Sequence, residues 1–156
     1  MTEEEAVEVA ELIAEEWVDA SKRGIRCEPH VLMMKAPNVD IDAFQLGGLG
    51  QEKAFRVIRG MRRAAAAADM WVVMINEGMA GKATLSPSGQ VIPLATPSKR
   101  FMITLWGPNN EVVSFSGPID QSGRIGKVER ENGPPSVFLG LDIGATPGDP
   151  GVGGEA

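Results

Sequence analysis

Tyrosine is absent from this 156-residue sequence, and cysteine and histidine occur only once each. The lone Cys27 cannot form a disulfide within the chain, and one cysteine excludes a cysteine-rich metal site. Without tyrosine, and with only 3 Trp and 5 Phe, the chain has few rings on which bases of single-stranded nucleic acid can stack. No apolar run approaches the ~20 residues that a membrane-spanning helix needs.

The scarcity of histidine also limits metal binding and catalysis. His30 is the only histidine, and it lies three positions after Cys27 in the segment CEPH. The pattern Cys-x-x-His supplies two ligands of a zinc site, and nothing in the sequence points to the others. We therefore expect His30 to be an ordinary residue at the start of a strand. We expect neither a metal nor an organic cofactor.

Length and composition indicate a globular protein with its own core. The apolar fraction of 43% is typical of that class. The first residues, MTEEEAVEVAEL, are acidic and lack a basic flank and an apolar signal core, so we expect no secretory signal. A cytoplasmic location, in a bacterium or an infected host cell, is the resulting expectation. We expect residues 1–143 to form a single domain, and the Gly/Pro-rich residues 144–156 to form a flexible tail.

Negative charge is concentrated in one predicted helix near the N-terminus. Residues 2–23 contain eight acids and two bases, a net charge of −6, and the remaining 13 acids and 13 bases cancel. Thr2 and Glu5 have the spacing of a capping box, and apolar residues recur at three- and four-residue spacing. Gly24 is a typical residue just after a helix. These features predict a helix over about residues 3–23 with an acidic, solvated back.

A second predicted helix, over residues 51–68, is basic. Its five bases and one acid give a net charge of +4. Bases that recur three or four positions apart share one side of a helix. Four bases form this basic stripe: Lys53, Arg56, Arg59 and Arg63. It is a candidate site for a nucleic acid backbone. If the helices are neighbours, Glu11, Glu15 or Asp19 would pair with the stripe and make it unavailable, and we therefore expect no nucleic acid binding.

The rest of the chain has the pattern of β-strands. Strand candidates occupy residues 31–35, 38–46, 70–75, 101–106, 111–117, 124–130 and 137–143. Turn residues predict a hairpin at residues 107–110 and a smaller one around residues 87–89. The order of helix, short strands, helix and then many strands indicates an α+β fold. We expect both helices to pack on one face of a mainly antiparallel sheet of about five to seven strands.

Glu77 and Arg100 are the candidate site residues for an enzyme. Glu77 follows the apolar run at residues 70–75, and Arg100 precedes the run at residues 101–106. If these strands pair, both side chains would lie at the same end of the sheet. Glu77 would then act as an acid or base, and Arg100 would hold an anion. The alternative is an ion pair that closes the end of the sheet, and the sequence favours that alternative.

Part of the chain resembles a family of small uncharacterised proteins from bacteria and phages. The family carries a pattern like A-D-x-V-V-V-x-x-E-A-W-M, a variable loop, and then P-S-x-x-P-x-R-x-E before a strand. The matching positions, all within residues 65–118, are Ala68, Asp69, Val72, Val73, Glu77, Met79, Pro97, Ser98 and Arg100. Gly78 stands where the family has alanine, the tryptophan is missing, and Phe101 or Met102 replaces the later glutamate. The resemblance implies only a fold, because no activity is established for this family.

The sequence therefore favours binding over catalysis. We expect a protein-interaction module that uses apolar residues left on the sheet or an exposed edge. The resemblance implies an accessory protein of a phage or mobile element, which binds another protein or itself and not a membrane. The alternatives are a small enzyme with a Glu77/Arg100 site, and a nucleic acid backbone binder that acts through the basic stripe.

Overall fold

The computed structural model of the chain describes residues 1–81, 83–93, 96, 98–131 and 137–141. The predicted tail at residues 144–156 and the predicted domain boundary at residue 143 lie outside these residues. The described elements are α1 Glu3–Lys22, β1 His30–Ala36, β2 Val39–Gln45, α2 Gln51–Ala67, β3 Trp71–Gly81, β4 Ala83–Leu85, β5 Val91–Pro93, β6 Ser98–Trp106, β7 Val112–Pro118, β8 Glu129–Arg130 and β9 Val137–Leu141. Neither helix is long and apolar enough to cross a membrane.

Most of the strands form one antiparallel sheet around β3. The order is β2-β1-β3-β6-β7-β8, and β9 also pairs with β3. β6 runs along one edge of β3, from Val72 to Ala80. The other edge is shared, because β1 pairs with the first half of β3 and β9 pairs with its last residues. The predicted α+β class with a mainly antiparallel sheet is confirmed.

The predicted strands are largely present, with two differences. The strand predicted to end at Ile75 continues to Gly81, because β6 supplies backbone partners to the polar and glycine residues that follow. The strand predicted at residues 124–130 is wrong for most of its length, since only its last two residues pair with β7. Both predicted hairpins are confirmed, as β4–β5 and β6–β7.

The two helices lie on opposite faces of the sheet, so the prediction that both cover one face is wrong. Successive residues of a strand point to opposite faces. In β3, Trp71, Val73 and Ile75 belong to the core under α1, and Val72 and Met74 belong to the core under α2. Because these apolar residues are consecutive, both faces of β3 are apolar and each one needs a cover.

Each helix covers only part of its own face. α1 lies over β6 and β7, whereas α2 lies over β3 and β1. Small side chains on the buried sides allow both helices to approach the sheet closely: Ala6, Ala10 and Ala14 in α1, and Ala54 and Ala65 in α2. The diagonal placement leaves the α1 face open over β1, and it leaves a gap between α2 and β6 on the other face.

Both helices end in the same hydrogen-bonded motif. In α2 the Met70 N–H donates to the Ala65 carbonyl at 2.8 Å, and Asp69 between them has a φ of +56°. In α1 the corresponding left-handed position holds Gly24, with a φ of +79°. This is the Schellman arrangement, in which glycine is the preferred residue because it has no Cβ. Asp69 therefore occupies a position at which any side chain lowers the stability of the fold relative to glycine.

The substitution Asp69→Gly should raise the free energy of unfolding by about 0.5 kcal/mol. Removal of the Cβ relieves the left-handed strain of ~1 kcal/mol, and the greater freedom of glycine in the unfolded chain offsets part of the gain. Urea unfolding followed by circular dichroism measures the change. Ala68→Gly is the matched control, because Ala68 has an ordinary φ of −99° and its replacement should destabilise. A lower stability for Asp69→Gly than for the wild type would contradict the expectation.

Candidate functional site

Glu77 is buried and ion-paired. Its side chain is only 3% exposed, and it lies on the edge of β3 between the start of β1 and the end of β9. Arg26, in the segment before β1, donates from Nη2 to Glu77 Oε2 at 2.5 Å and from Nε at 3.2 Å. The Cys27 N–H donates to Oε1 at 3.5 Å, and Lys99 Nζ lies 3.9 Å from Oε2. The carboxylate therefore fastens the segment before β1 to the centre of the sheet.

Arg100 points to the other face of the sheet. The register of β3 and β6 places Phe101 opposite Glu77, and Arg100 opposite Gly78. Neighbouring residues of a strand face opposite ways. Arg100 donates instead to Ser116 Oγ, from Nη2 at 3.1 Å and from Nε at 3.3 Å. The predicted Glu77–Arg100 ion pair and the acid–base site that needs both side chains are therefore wrong.

The observed partner of Glu77 has no signal in the sequence. Arg26 is 51 positions away, in a segment without helical or strand periodicity. The contact forms because β3 extends past Ile75, where the predicted strand ended. The sequence favoured an ion pair over a catalytic site at Glu77, and the structure has an ion pair there with a different arginine. Its partner follows only from the strand order.

Asn76 is a second buried polar residue of β3. It is 0% exposed on the α2 face, and neither its amide nitrogen nor its amide oxygen has a hydrogen-bond partner among the described residues. A buried polar group without a partner destabilises a fold by about 1–3 kcal/mol. The polar end of β3 is therefore held by the ion pairs of Glu77 and not by Asn76.

The basic stripe of α2 faces solvent. All four of its members, Lys53, Arg56, Arg59 and Arg63, are exposed. Arg56 pairs with Glu52 on the same helix, with Nη2 and Oε1 2.6 Å apart. In the part of the chain that the structure describes, Arg59 and Arg63 make no ion pair.

The predicted shielding of this stripe by α1 is wrong. Glu11, Glu15 and Asp19 lie across the sheet from α2, because each helix covers a different face. Asp19 lies 3.8 Å from Arg23 on its own helix. The reason for expecting no nucleic acid binding therefore fails, and the stripe is available to an anionic partner.

A cavity of about 290 Å³ lies between α2 and the end of β6. Arg59, Arg62 and Arg63 line one side of it, and the Trp106 ring lines the other. The guanidinium carbon of Arg62 is 4.9 Å from the centroid of the Trp106 ring, which is the geometry of a cation–π contact. Among the described residues, no carboxylate lines this cavity. Arg62 lies at the edge of the stripe. Its contact with Trp106 places it in the cavity, and the spacing of bases along α2 does not indicate that contact.

An apolar groove of about 480 Å³ lies beside α1, over the part of the sheet that α1 leaves open. Leu12 and Ile25 on its walls are 65% and 47% exposed. Its other apolar lining residues are Val9, Ile13, Trp17, Ala20, Leu32, Met34, Pro37 and Ile75. Glu16 from α1 lines the same groove. Arg23 and His30 also line it, so the groove combines exposed apolar walls with one negative side chain, Glu16, and one positive side chain, Arg23.

Cys27 and His30 do not meet in a metal site. Cys27 is buried, and its thiol donates to the Glu28 carbonyl at 3.7 Å. His30 begins β1, as predicted, with Nδ1 2.8 Å from the Glu28 carbonyl oxygen. Its ring centroid lies 6.1 Å from that of Trp17 in the apolar groove. Among the described residues, no group of three or more His, Cys, Asp or Glu is placed to hold a metal ion.

Comparison with known proteins identifies no relative of this chain. No protein-family model, no curated protein and no solved structure matches it. The resemblance of residues 65–118 to small bacterial and phage proteins therefore stays a prediction. Function has to be inferred from the residues and geometry of the chain itself.

Replacement of Glu77 distinguishes a structural residue from a functional one. Glu77→Ala should lower the free energy of unfolding by about 2–4 kcal/mol, because it leaves the Arg26 guanidinium and the Cys27 N–H without their acceptor. Lys99→Ala, which removes the longer contact, should cost less than about 1 kcal/mol. Urea titration at neutral pH measures both. An increase in stability for Glu77→Ala would contradict a structural role, since replacing strained functional residues commonly stabilises a protein.

The thiol of Cys27 should be unreactive in the folded protein. Burial, with added contributions from the charges of Glu77 and Glu28, raises the pKa of Cys27 from 9.0 to about 12. The folded state therefore holds the thiol proton more tightly, and this stabilisation is complete below pH 9 and is lost between pH 9 and about 12. A thiol reagent at pH 8 should label urea-unfolded protein much faster than native protein. Equal rates would contradict burial of the thiol. The fall in stability above pH 9 should be smaller in Cys27→Ala.

Proposed function

We propose that this protein acts by binding a segment of another protein in the apolar groove beside α1. The observation that supports the proposal best is the exposure of Leu12 and Ile25, 65% and 47%, on the walls of a concave apolar surface. Exposed apolar residues grouped around a groove are typical of partner-binding surfaces. Among the described residues of the groove, no group of three or more His, Cys, Asp or Glu is placed to hold a metal ion.

An amphipathic helix of the partner is the occupant that fits this groove. Its apolar floor is formed by β1, and β2 continues the sheet beside it. Two neighbouring strands are about 10 Å wide, which is close to the diameter of one helix. A helix placed there would lie next to α1 and would complete the cover that α1 leaves unfinished. Binding of a helix in a groove is a common way in which proteins recognise a peptide segment.

Charge on α1 adds a preference to this binding. Glu16 lines the groove, and Glu8 is exposed one turn before Leu12 on the same side of the helix. A partner helix with lysine or arginine opposite Glu8 and Glu16, and not opposite Arg23 at the end of α1, would pair with these carboxylates. Pairs of this kind are exposed and contribute only about 0.2–1 kcal/mol each, so they orient the partner more than they hold it.

The cellular setting is part of the same proposal. We place the protein in the cytoplasm of a bacterium or an infected host cell, as an accessory protein of a phage or mobile element. The support for the setting is the resemblance of residues 65–118 to small bacterial and phage proteins. A single cysteine, with no disulfide to maintain, is consistent with a reducing compartment.

A display library of amphipathic helical peptides tests the groove directly. Peptides selected on the wild type should carry apolar residues at three- and four-residue spacing and a basic flank. Their binding should change the fluorescence of Trp17, which lines the groove. Leu12→Glu should weaken binding at least tenfold, because it puts a charge into the apolar contact. Val112→Glu is the matched control, since Val112 is 49% exposed on the opposite face, and it should bind like the wild type.

Two results would contradict the proposal. One is the absence of any enriched peptide, or enriched peptides that bind Leu12→Glu as tightly as the wild type. The other is a wild-type dimer in analytical ultracentrifugation that Leu12→Glu converts to monomer. That result would show that a second copy, and not a helix of another protein, occupies the groove.

A further inference from the structure

The cavity between α2 and β6 concentrates positive charge in a small space. Arg59, Arg62 and Arg63 line a volume of about 290 Å³, and the described part of the chain places no carboxylate in its lining. Three guanidinium groups that share one cavity repel each other, and arginine keeps its charge at any physiological pH. An arrangement of this kind is stabilised by an anion placed between the groups.

The positive charges that line this cavity are not neutralised by ion pairs within the described part of the protein. Arg59 and Arg63 make no ion pair there. The carboxylate of the β6–β7 turn, Glu111, accepts a hydrogen bond from the Asn109 N–H at 2.6 Å. Within the described residues, the cavity thus offers two guanidinium groups that make no ion pair and one that lies over the Trp106 ring.

The stacked arginine is held in place for binding. The guanidinium carbon of Arg62 lies 4.9 Å from the centre of the Trp106 ring. A guanidinium that stacks on an aromatic ring keeps the N–H groups in its own plane available as donors. Because the ring already fixes this side chain, less conformational entropy is lost when an anion binds. Phosphate matches the planar fork of donors that arginine presents.

The positive charge also continues beyond the cavity. Lys53 and Arg56 are exposed on the same side of α2 as Arg59 and Arg63. The ten steps from Lys53 to Arg63 extend about 15 Å along the helix axis, at 1.5 Å per residue. A single phosphate group cannot reach charges over that distance. A chain of phosphates can reach all of them.

We propose that the cavity and the basic stripe together bind the phosphate backbone of a nucleic acid. One phosphate is held in the cavity by Arg59, Arg62 and Arg63, and the adjoining phosphates follow the stripe toward Lys53. No base edge is contacted by this arrangement, so binding is independent of sequence and weakens steeply with salt as counterions are released. The surface lies on the face opposite to the apolar groove, and either site can fail without affecting the other.

Fluorescence anisotropy with labelled 20-nucleotide DNA, duplex in one arm and single-stranded in the other, tests this site. At 50 mM salt we expect a Kd in the micromolar range, which is typical of backbone binding. The variant Arg59→Ala/Arg63→Ala should weaken binding at least tenfold. It should also reduce the slope of log Kd against log salt by about 2, one for each lost phosphate contact. Both positions are exposed, and the urea midpoint of the variant should stay at the wild-type value.

The control removes the same charge from another surface. Arg124→Ala/Lys127→Ala also lowers the net charge by two, and both residues are exposed near α1. It should change the affinity less than twofold. Equal losses in the two variants, or no binding to either DNA at 50 mM salt, would overturn the proposal. Tighter binding to a polyglutamate peptide than to DNA would also overturn it, and would identify an acidic protein segment as the partner.

Discussion

Consecutive apolar residues at the start of β3 must be buried on two faces of the sheet at once. Each fully buried side chain of this size contributes about 1.5–3 kcal/mol, so neither face can be left open to water. One helix on each face meets the requirement, and because α1 lies toward β7 and α2 toward β1, neither helix covers its whole face. The two candidate binding surfaces lie in the spaces that remain. The positions of both candidate surfaces therefore follow from how the two faces of β3 are covered.

The polar half of β3 lies where strand pairing is interrupted on one edge. At Asn76 and Glu77 the neighbour on one edge changes from β1 to β9, and a break in pairing leaves backbone groups without strand partners. The Glu77 carboxylate lies at that break and accepts from Arg26 and from the Cys27 N–H. A buried carboxylate is expensive to desolvate, and it persists here because several donors surround it.

Local signals in the sequence were sufficient for the elements and insufficient for their arrangement. The capping box at Thr2, the glycine after α1 and the turn residues of both hairpins act over a few positions, and each is present as predicted. The unbroken apolar run at the start of β3 is typical of a strand that is buried on both faces. The partners Arg26 and Trp106 depend on strand order, which a single sequence does not specify.

The distribution of charge has a consequence for how the molecule orients. α1 and its flanking residues carry −6, α2 carries +4, and the sheet separates them. The two helices therefore form an electric dipole whose axis crosses the sheet. Near any negatively charged surface the α2 side turns inward and the α1 side turns outward, before a contact is made. A molecule oriented in this way has its apolar groove on the side that faces the solution.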